Sequence, residues 1–210
     1  MPFSKSSKTK LKMKTYNIKK GYIHRQEYVY FDDMHNTDGW QKEVYEEAQK
    51  IAMEESYRTI SDVGCGSAYK LIKYFDKYTT YGYDVEPTLS KLKEKYPSHN
   101  WRISDFSTTP DHDTDLVICA DVIEHVLDPD ALIAYLKKFR AKKYIFSTPE
   151  RLLVKNLVGE ASQNGPPANK THIREWDFEE FYEYMSTHFK IERHWITNVE
   201  QATQTVICSA

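Results

Sequence analysis

Asp62-Val63-Gly64-Cys65-Gly66-Ser67-Ala68 closes a short apolar run, Arg58 to Val63, and opens a helix-like stretch over 68–76. The chain holds only seven glycines, and two of them stand in this turn. Glycine permits a tight turn and the close approach of a ligand to the backbone. A strand-to-helix turn of this kind presents free N–H groups to a polar or anionic ligand group. The dinucleotide pattern would put a further glycine at position 69, where this chain has Tyr69. Asp62 stands just before the first glycine; it would repel a pyrophosphate but could accept from an ammonium or a hydroxyl. Taken alone, a tight turn without a ligand explains the segment as well.

Outward from this turn the text alternates in type. Thr79 to Tyr83 reads as a strand ending at Asp84, and Thr88 to about Lys95 as a helix. An acid at the end of the second strand is placed to bind ribose hydroxyls; as a plain turn residue Asp84 would cap the next helix. Trp101-Arg102-Ile103 and the strongly apolar Asp115 to Cys119 read as strands. Asp128-Pro129 opens a helix whose buried face is Leu132, Ile133, Leu136 and Phe139. Tyr144-Ile145-Phe146 is a further strand, 177–189 an amphipathic helix, and Ile191–Ile196 and Gln204–Ser209 are closing strands. Upstream, 41–56 reads as a helix with Val44, Ala48, Ile51 and Ala52 at helical spacing and Asp38 as its N-cap. Strands alternating with helices predict an α/β fold with a mostly parallel sheet covered on both faces. Ligands in such sheets bind beyond the carboxyl ends of the strands.

The chain of 210 residues suits one domain, and 40% apolar with 14% aromatic residues provides a core. Seven lysines and no acid fall in the first twenty residues, leaving 22 of the 29 basic side chains against all 31 acidic ones. The first twenty residues read as a basic, solvated tail, 21–40 as an aromatic-rich N-terminal cap, and 41–210 as the folded domain. An acidic body does not attract a phosphate backbone, so no nucleic-acid partner is expected. No apolar run approaches the roughly 20 residues of a membrane span. The N-terminus lacks the apolar segment of a secretory signal. The three cysteines, Cys65, Cys119 and Cys208, are far apart and form no CxxC pair. They argue against a zinc site and a disulfide framework, and the expectation is no metal and a cytoplasmic setting.

The residues at the strand ends, taken together, resemble the class I S-adenosylmethionine-dependent methyltransferases. Asp62 to Ala68 with Gly82-Tyr83-Asp84 is similar to their first two motifs. Ser104-Asp105-Phe106 resembles the adenine-holding segment, Cys119 to Val126 (CADVIEHV) the segment after strand four, and Ser147-Thr148-Pro149 the turn after strand five. His172-Ile173-Arg174-Glu175-Trp176 resembles a pre-helix segment of the small-molecule branch. The resemblance covers roughly residues 40–210 and departs where the family often has a third glycine and this chain has Ala68; little effect is expected there. It implies a Rossmann-like seven-stranded sheet with the last strand antiparallel. It also implies S-adenosylmethionine as cofactor, with Gly64 and Gly66 along its methionine part, Asp62 toward the amino group and Asp84 on the ribose. Val85 would lie on the adenine, Asp105 and Phe106 would hold the adenine edge, and the Ala120 carbonyl would face the methionine ammonium.

Transfer to a hydroxyl benefits from a general base, and to a carboxylate does not. His125, just past the apolar strand, is a candidate base or a histidine bound within the turn, with Glu124 as its partner or as a surface acid. His172 is a second candidate base. Arg174 has the planar fork that pairs with carboxylate or phosphate; both residues could equally fasten the loop that follows Asn164-Gly165-Pro166-Pro167. Tyr22, Arg25 and Tyr30 of the cap are candidates for binding a sugar or nucleotide ring, or for edge packing. An Asn-Pro-Pro-Tyr-type motif after strand four is missing, which counts against an adenine-N6 nucleic-acid methylase. The segments at 147–151, 164–167 and 172–176 resemble bacterial methyltransferases of surface-polysaccharide and nucleotide-sugar pathways. They imply a small-molecule acceptor, a sugar or nucleotide-linked sugar methylated on oxygen, by a protein that could form a homodimer. A quinone or other small-metabolite acceptor, and a non-catalytic cofactor-binding protein, are the alternatives.

Overall fold

The computed structural model describes residues 14–159 and 163–210. The lysines at positions 5, 8, 10 and 12, in the expected basic tail, lie outside the described residues. From Lys14 on, the segment is packed in part: Ile18 is buried and Tyr16 half-buried, while Lys14, Thr15, Asn17 and Lys20 are exposed. Ile18 is buried in the core, Lys14 bonds Asp130 at 2.6 Å, and the Trp176 indole donates to the Tyr16 carbonyl at 2.8 Å.

The chain then runs α1 (Lys42–Glu54), β1 (Thr59–Val63), α2 (Tyr69–Tyr74), β2 (Thr79–Asp84), α3 (Thr88–Lys95), β3 (Asn100–Ile103) and β4 (Leu116–Ala120). A short turn of tight helix at Ile123–His125 leads to α4 (Pro129–Lys137) and β5 (Lys143–Pro149). The chain ends with α5 (Arg151–Val158), α6 (Phe178–Ser186), β6 (Lys190–Asn198) and β7 (Thr203–Ser209). Helix α5, between β5 and the loop at 163–176, is not among the helices read from the sequence. The Asp38 carboxylate does not cap α1; it accepts from Lys73 and Tyr74 on α2, and Gln41 holds the cap position.

The sheet order is β3-β2-β1-β4-β5-β7-β6, with β7 antiparallel to both neighbours and the other pairs parallel. This is the expected mostly parallel, seven-stranded Rossmann-like sheet with its last strand antiparallel. Alternation along β4 shows why the core has two halves. Val117 and Cys119 join the cluster under α4 and α6, whereas Leu116, Ile118 and Ala120 join the cluster under α1, α2 and α3. All five residues of β4 are buried, as a central strand covered on both faces requires. The three cysteines are buried and unpaired. Asp128 caps α4 by accepting from the amides of Asp130 and Ala131 with Pro129 at the first position, as its sequence predicts.

Strand order reverses between β1 and β4, and α/β sheets open their ligand crevice at that switch. The loops after β1, β2 and β4 all emerge there.

Candidate active site

Two adjoining cavities lie over this switch point, one of about 390 Å³ and one of about 280 Å³. Phe31, Asp33, Gly64, Asp121 and His125 line both. The first cavity is the more apolar one, and it runs from the glycine turn to Asp105 and Phe106.

At the turn, Gly64 and Gly66 sit at φ 78° and 53°. A Cβ on Gly64 would collide with the Val122 side chain, and one on Gly66 with the Asp33 carboxylate. Both positions therefore require glycine for conformation and for space. Ala68 also sits in the left-handed region, at φ 55°, so the missing third glycine leaves a strained residue there. The Asp84 carboxylate accepts from the Gly66 amide at 2.8 Å and from the Val85 amide at 2.8 Å. It ties the end of β2 to the turn after β1. Burial raises its pKa to about 6. A buried acid at a cavity wall is suited to accept from a ligand's hydroxyls, which would hold it ionised. Val85 and Phe106 line the same cavity. Asp105 lines it too, but its Oδ1 accepts from the amides of Ser107 and Thr108 at 2.9 and 3.1 Å. The Thr108 and Ser107 bonds lower its pKa to about 2.

Asp62, which the resemblance has orienting the amino group directly or through water, lines neither cavity. It is fully buried under the turn, and its Oδ2 accepts from the Tyr45 hydroxyl at 2.8 Å. Its Oδ1 has no partner. Tyr45 itself lines the second cavity, so Asp62 acts on the site through that hydroxyl. Ala120 lines the second cavity at the end of β4.

The cap residues divide. Tyr30 reaches the first cavity, where its hydroxyl pairs with Thr88 Oγ1 at 2.8 Å. Tyr22 and Arg25 are off both walls. The Tyr22 hydroxyl accepts from the Glu175 amide at 3.1 Å, and the Arg25 guanidinium donates to the Pro167 carbonyl at 2.6 Å. Arg174 is likewise withdrawn: it is buried and donates to the carbonyls of Val126 and Leu127 at 2.7 and 2.8 Å. These three side chains fasten the loop at 163–176, the alternative the sequence left open for Arg174. A buried guanidinium saturates nearby carbonyls because its donors have no water to reach.

His125 and His172 do converge, with ring centroids 4.7 Å apart, at the wall of the second cavity. His125 Nδ1 bonds the Thr171 carbonyl at 3.0 Å, and His172 Nδ1 bonds the Glu175 carboxylate at 2.7 Å. Burial, then the neighbouring His172, lowers the His125 pKa to about 4, so this ring is neutral at physiological pH. Glu124 is no surface acid: it is fully buried, and its Oε2 accepts from Thr148 at 3.1 Å. Burial and the adjacent Asp121 hold the Glu124 carboxyl well above its ordinary range. Sequence reasoning missed Asp33, Gln41, Asp121 and Asn169, all on the wall of the second cavity. Asp121 follows β4 within the quoted motif and was legible as a strand-end acid. The other three reach the site only through the path of the cap and loop.

The strand order, the glycine turn and the strand-end acid define the fold of the Rossmann-like methyltransferases. Residues 61–140 match the family model of a methyltransferase domain. Solved structures show the same fold. An S-adenosylmethionine-dependent methyltransferase from Clostridium acetobutylicum is 15% identical at a TM-score of 0.61, over 82% of this chain and 92% of that one. The small RNA methyltransferase HEN1 is 24% identical at a TM-score of 0.60, over 88% of this chain and 26% of that one. The magnesium protoporphyrin IX methyltransferase of Synechocystis, solved with S-adenosylhomocysteine bound, is 17% identical at a TM-score of 0.57, over 83% of this chain and 88% of that one. No curated protein matches the chain. The family model covers 61–140, less than half of the chain, and the solved structures share its fold. No helix among the described residues is long and apolar enough to cross a membrane.

Proposed function

We propose that the chain methylates an oxygen of a small-molecule acceptor, a sugar or nucleotide-linked sugar, with the cofactor in the first cavity and the acceptor in the second. The observation that carries this reading is the shared wall: His125, Asp121 and Gly64 belong to both cavities, so ligands in the two would meet there. The residues present suit the cofactor. Gly64 and Gly66 bring backbone to the cavity wall, Asp84 offers carboxylate acceptors, and Val85, Phe106 and Tyr30 add apolar surface. When bound, the cofactor supplies a methyl group already activated on a sulfonium sulfur.

What remains for the protein is alignment and exclusion of water. Phe31 stacks over the His125 ring at 6.1 Å between centroids and closes the junction from the cap side. Polar groups line the acceptor side: Gln41, Asp121, Lys70 and Asn169 around the two histidines. Such a wall is suited to hydroxyl groups and poorly suited to a quinone ring. The loop resemblance to surface-polysaccharide methyltransferases points the same way. A neutral His125 accepts a hydroxyl's hydrogen bond and orients its oxygen; with its pKa near 4 it is a weak proton acceptor at neutral pH.

The test is transfer of labelled methyl from S-adenosylmethionine to a panel of nucleotide-sugars, free sugars and sugar acids, with quinones as the comparison. Labelled O-methyl sugar supports the reading. Turnover confined to quinones, or none with any acceptor despite cofactor binding, contradicts it.

A further inference from the structure

Glu124, His125 and His172 each bring one ligand-type atom to a common region, all within 4.8 Å of one another. They come from two separate stretches, the turn after β4 and the loop before α6. That loop is pinned to the turn, since the amide of Ile173 donates to the Glu124 carbonyl at 2.7 Å. The tautomers of both rings follow from their partners. His125 Nδ1 meets a backbone carbonyl, which only a donor can satisfy, and His172 Nδ1 meets the Glu175 carboxylate. Each ring therefore keeps its proton on Nδ1 and an unprotonated Nε2. Carbonyl or carboxylate behind Nδ1 is the arrangement that orients metal-binding imidazoles and raises their basicity.

The carboxylates add a second, independent observation. Glu124 is fully buried, and its Oε1 has no hydrogen-bond partner; nor has Oε2 of the buried Glu175. Neither Glu124 nor Asp121 forms an ion pair among the described residues. A buried carboxyl with an unpartnered oxygen, gathered with two imidazoles, forms a donor set without an acceptor, and a cation satisfies it. One contact competes: the Asn169 side-chain amide donates to His172 Nε2 at 2.9 Å. Donors around one ion at about 2.1 Å lie roughly 3–3.5 Å apart, so the His172 ring must turn from Asn169 toward Glu124 and His125 on binding.

We propose that Glu124, His125 and His172 bind a divalent first-row transition-metal ion whose remaining positions open on the acceptor cavity. Two imidazoles favour a transition ion over magnesium or calcium, and three protein ligands leave the coordination incomplete, as in catalytic sites. Resting on the methyl-transfer reading, the ion's role is to take the acceptor hydroxyl as a ligand and lower its pKa. The hydroxyl proton then leaves to solvent and the oxygen lone pair forms the new O–C bond. The S–C bond breaks with its pair kept on sulfur, and the sulfonium becomes a neutral thioether. His125 and His172 are in this account ligands, with Glu175 as a positioning residue behind His172.

The test uses the full chain, stripped with chelator and titrated calorimetrically with Co²⁺, with S-adenosylhomocysteine affinity measured separately without metal. The expected result is one Co²⁺ per chain, weakened at least tenfold by His172→Asn and by Glu124→Gln, and less by Glu175→Gln. Homocysteine-cofactor affinity should stay unchanged in His172→Asn, which also controls for folding. No Co²⁺ binding, or equal binding by wild type and His172→Asn, overturns the proposal. Loss of S-adenosylhomocysteine binding with Co²⁺ binding intact would overturn the methyltransferase reading and leave the metal site standing.

Discussion

Asp62 carries its charge at a cost, because only one of its two carboxylate oxygens is partnered and the group is fully buried. Burial raises its pKa from an ordinary 3.8 to about 7. The folded chain thus holds a proton between these values that the unfolded chain releases. Stability from this group falls as pH rises through that window, and the penalty is complete above about pH 7. At 1.36 kcal/mol per unit the full penalty is on the order of 4 kcal/mol. Asp62→Asn keeps an acceptor for Tyr45 and removes the charge. The variant should be more stable than wild type at pH 8, with the difference shrinking toward pH 4, in urea denaturation of the cofactor-free protein. Parallel pH profiles for the two proteins would contradict this. Gly64, Gly66 and Asp84 were legible in the sequence because their roles lie in local backbone: a turn, a strand end and a fixed spacing. For Tyr22, Arg25 and Arg174 the sequence left two readings open, because a polar side chain's composition does not tell whether it turns to a cavity or to buried carbonyls. Glu124 looked like a surface acid for the same reason.

At the scale of elements, Arg151 joins α5 to α6. Its guanidinium is fully buried and donates to Glu180 at 2.5 and 2.9 Å, to Asp177 at 2.8 Å and to the Glu175 carbonyl at 2.9 Å. Asp177 and Glu180 also form the capping box of α6. Removing Arg151 leaves a buried carboxylate without its partner, which costs roughly 3–5 kcal/mol. Arg151→Ala should lower stability by about that amount in urea while cofactor affinity in the folded protein stays near wild type. A loss below about 1 kcal/mol would show that the network is neutral. The strand and helix order was readable from alternating periodicity, down to the Asp128-Pro129 cap. Helix α5 was not, because Arg151 to Val158 follows a strand end and precedes a turn-rich loop, and its anchoring partners lie some 25 residues downstream.

Over the whole molecule, the segment from Lys14 to Asp33 works as a strap. It starts on α4 at Asp130 and passes under Trp176 by way of the Tyr16 carbonyl. It then pairs with the loop at 163–176 through the Ile23 and Arg25 amides at 2.8 and 2.9 Å and ends on α3 at Thr88 and Lys91. Its stretch from Tyr28 to Asp33 forms one wall of the first cavity. Ligand in that cavity should therefore slow amide exchange at 28–33 more than in β6 and β7, as read by hydrogen exchange with and without S-adenosylhomocysteine. Equal or no protection at 28–33 would show that the strap does not cover the cofactor.

The most direct test of the central claim is calorimetric binding of S-adenosylmethionine and S-adenosylhomocysteine to the wild type and to Asp84→Ala. The account predicts one ligand per chain for the wild type. For Asp84→Ala it predicts affinity roughly 10–100-fold weaker, the loss of hydrogen bonds to a charged acceptor worth about 1.5–3 kcal/mol. No binding to the wild type, or equal binding by the variant, would contradict it.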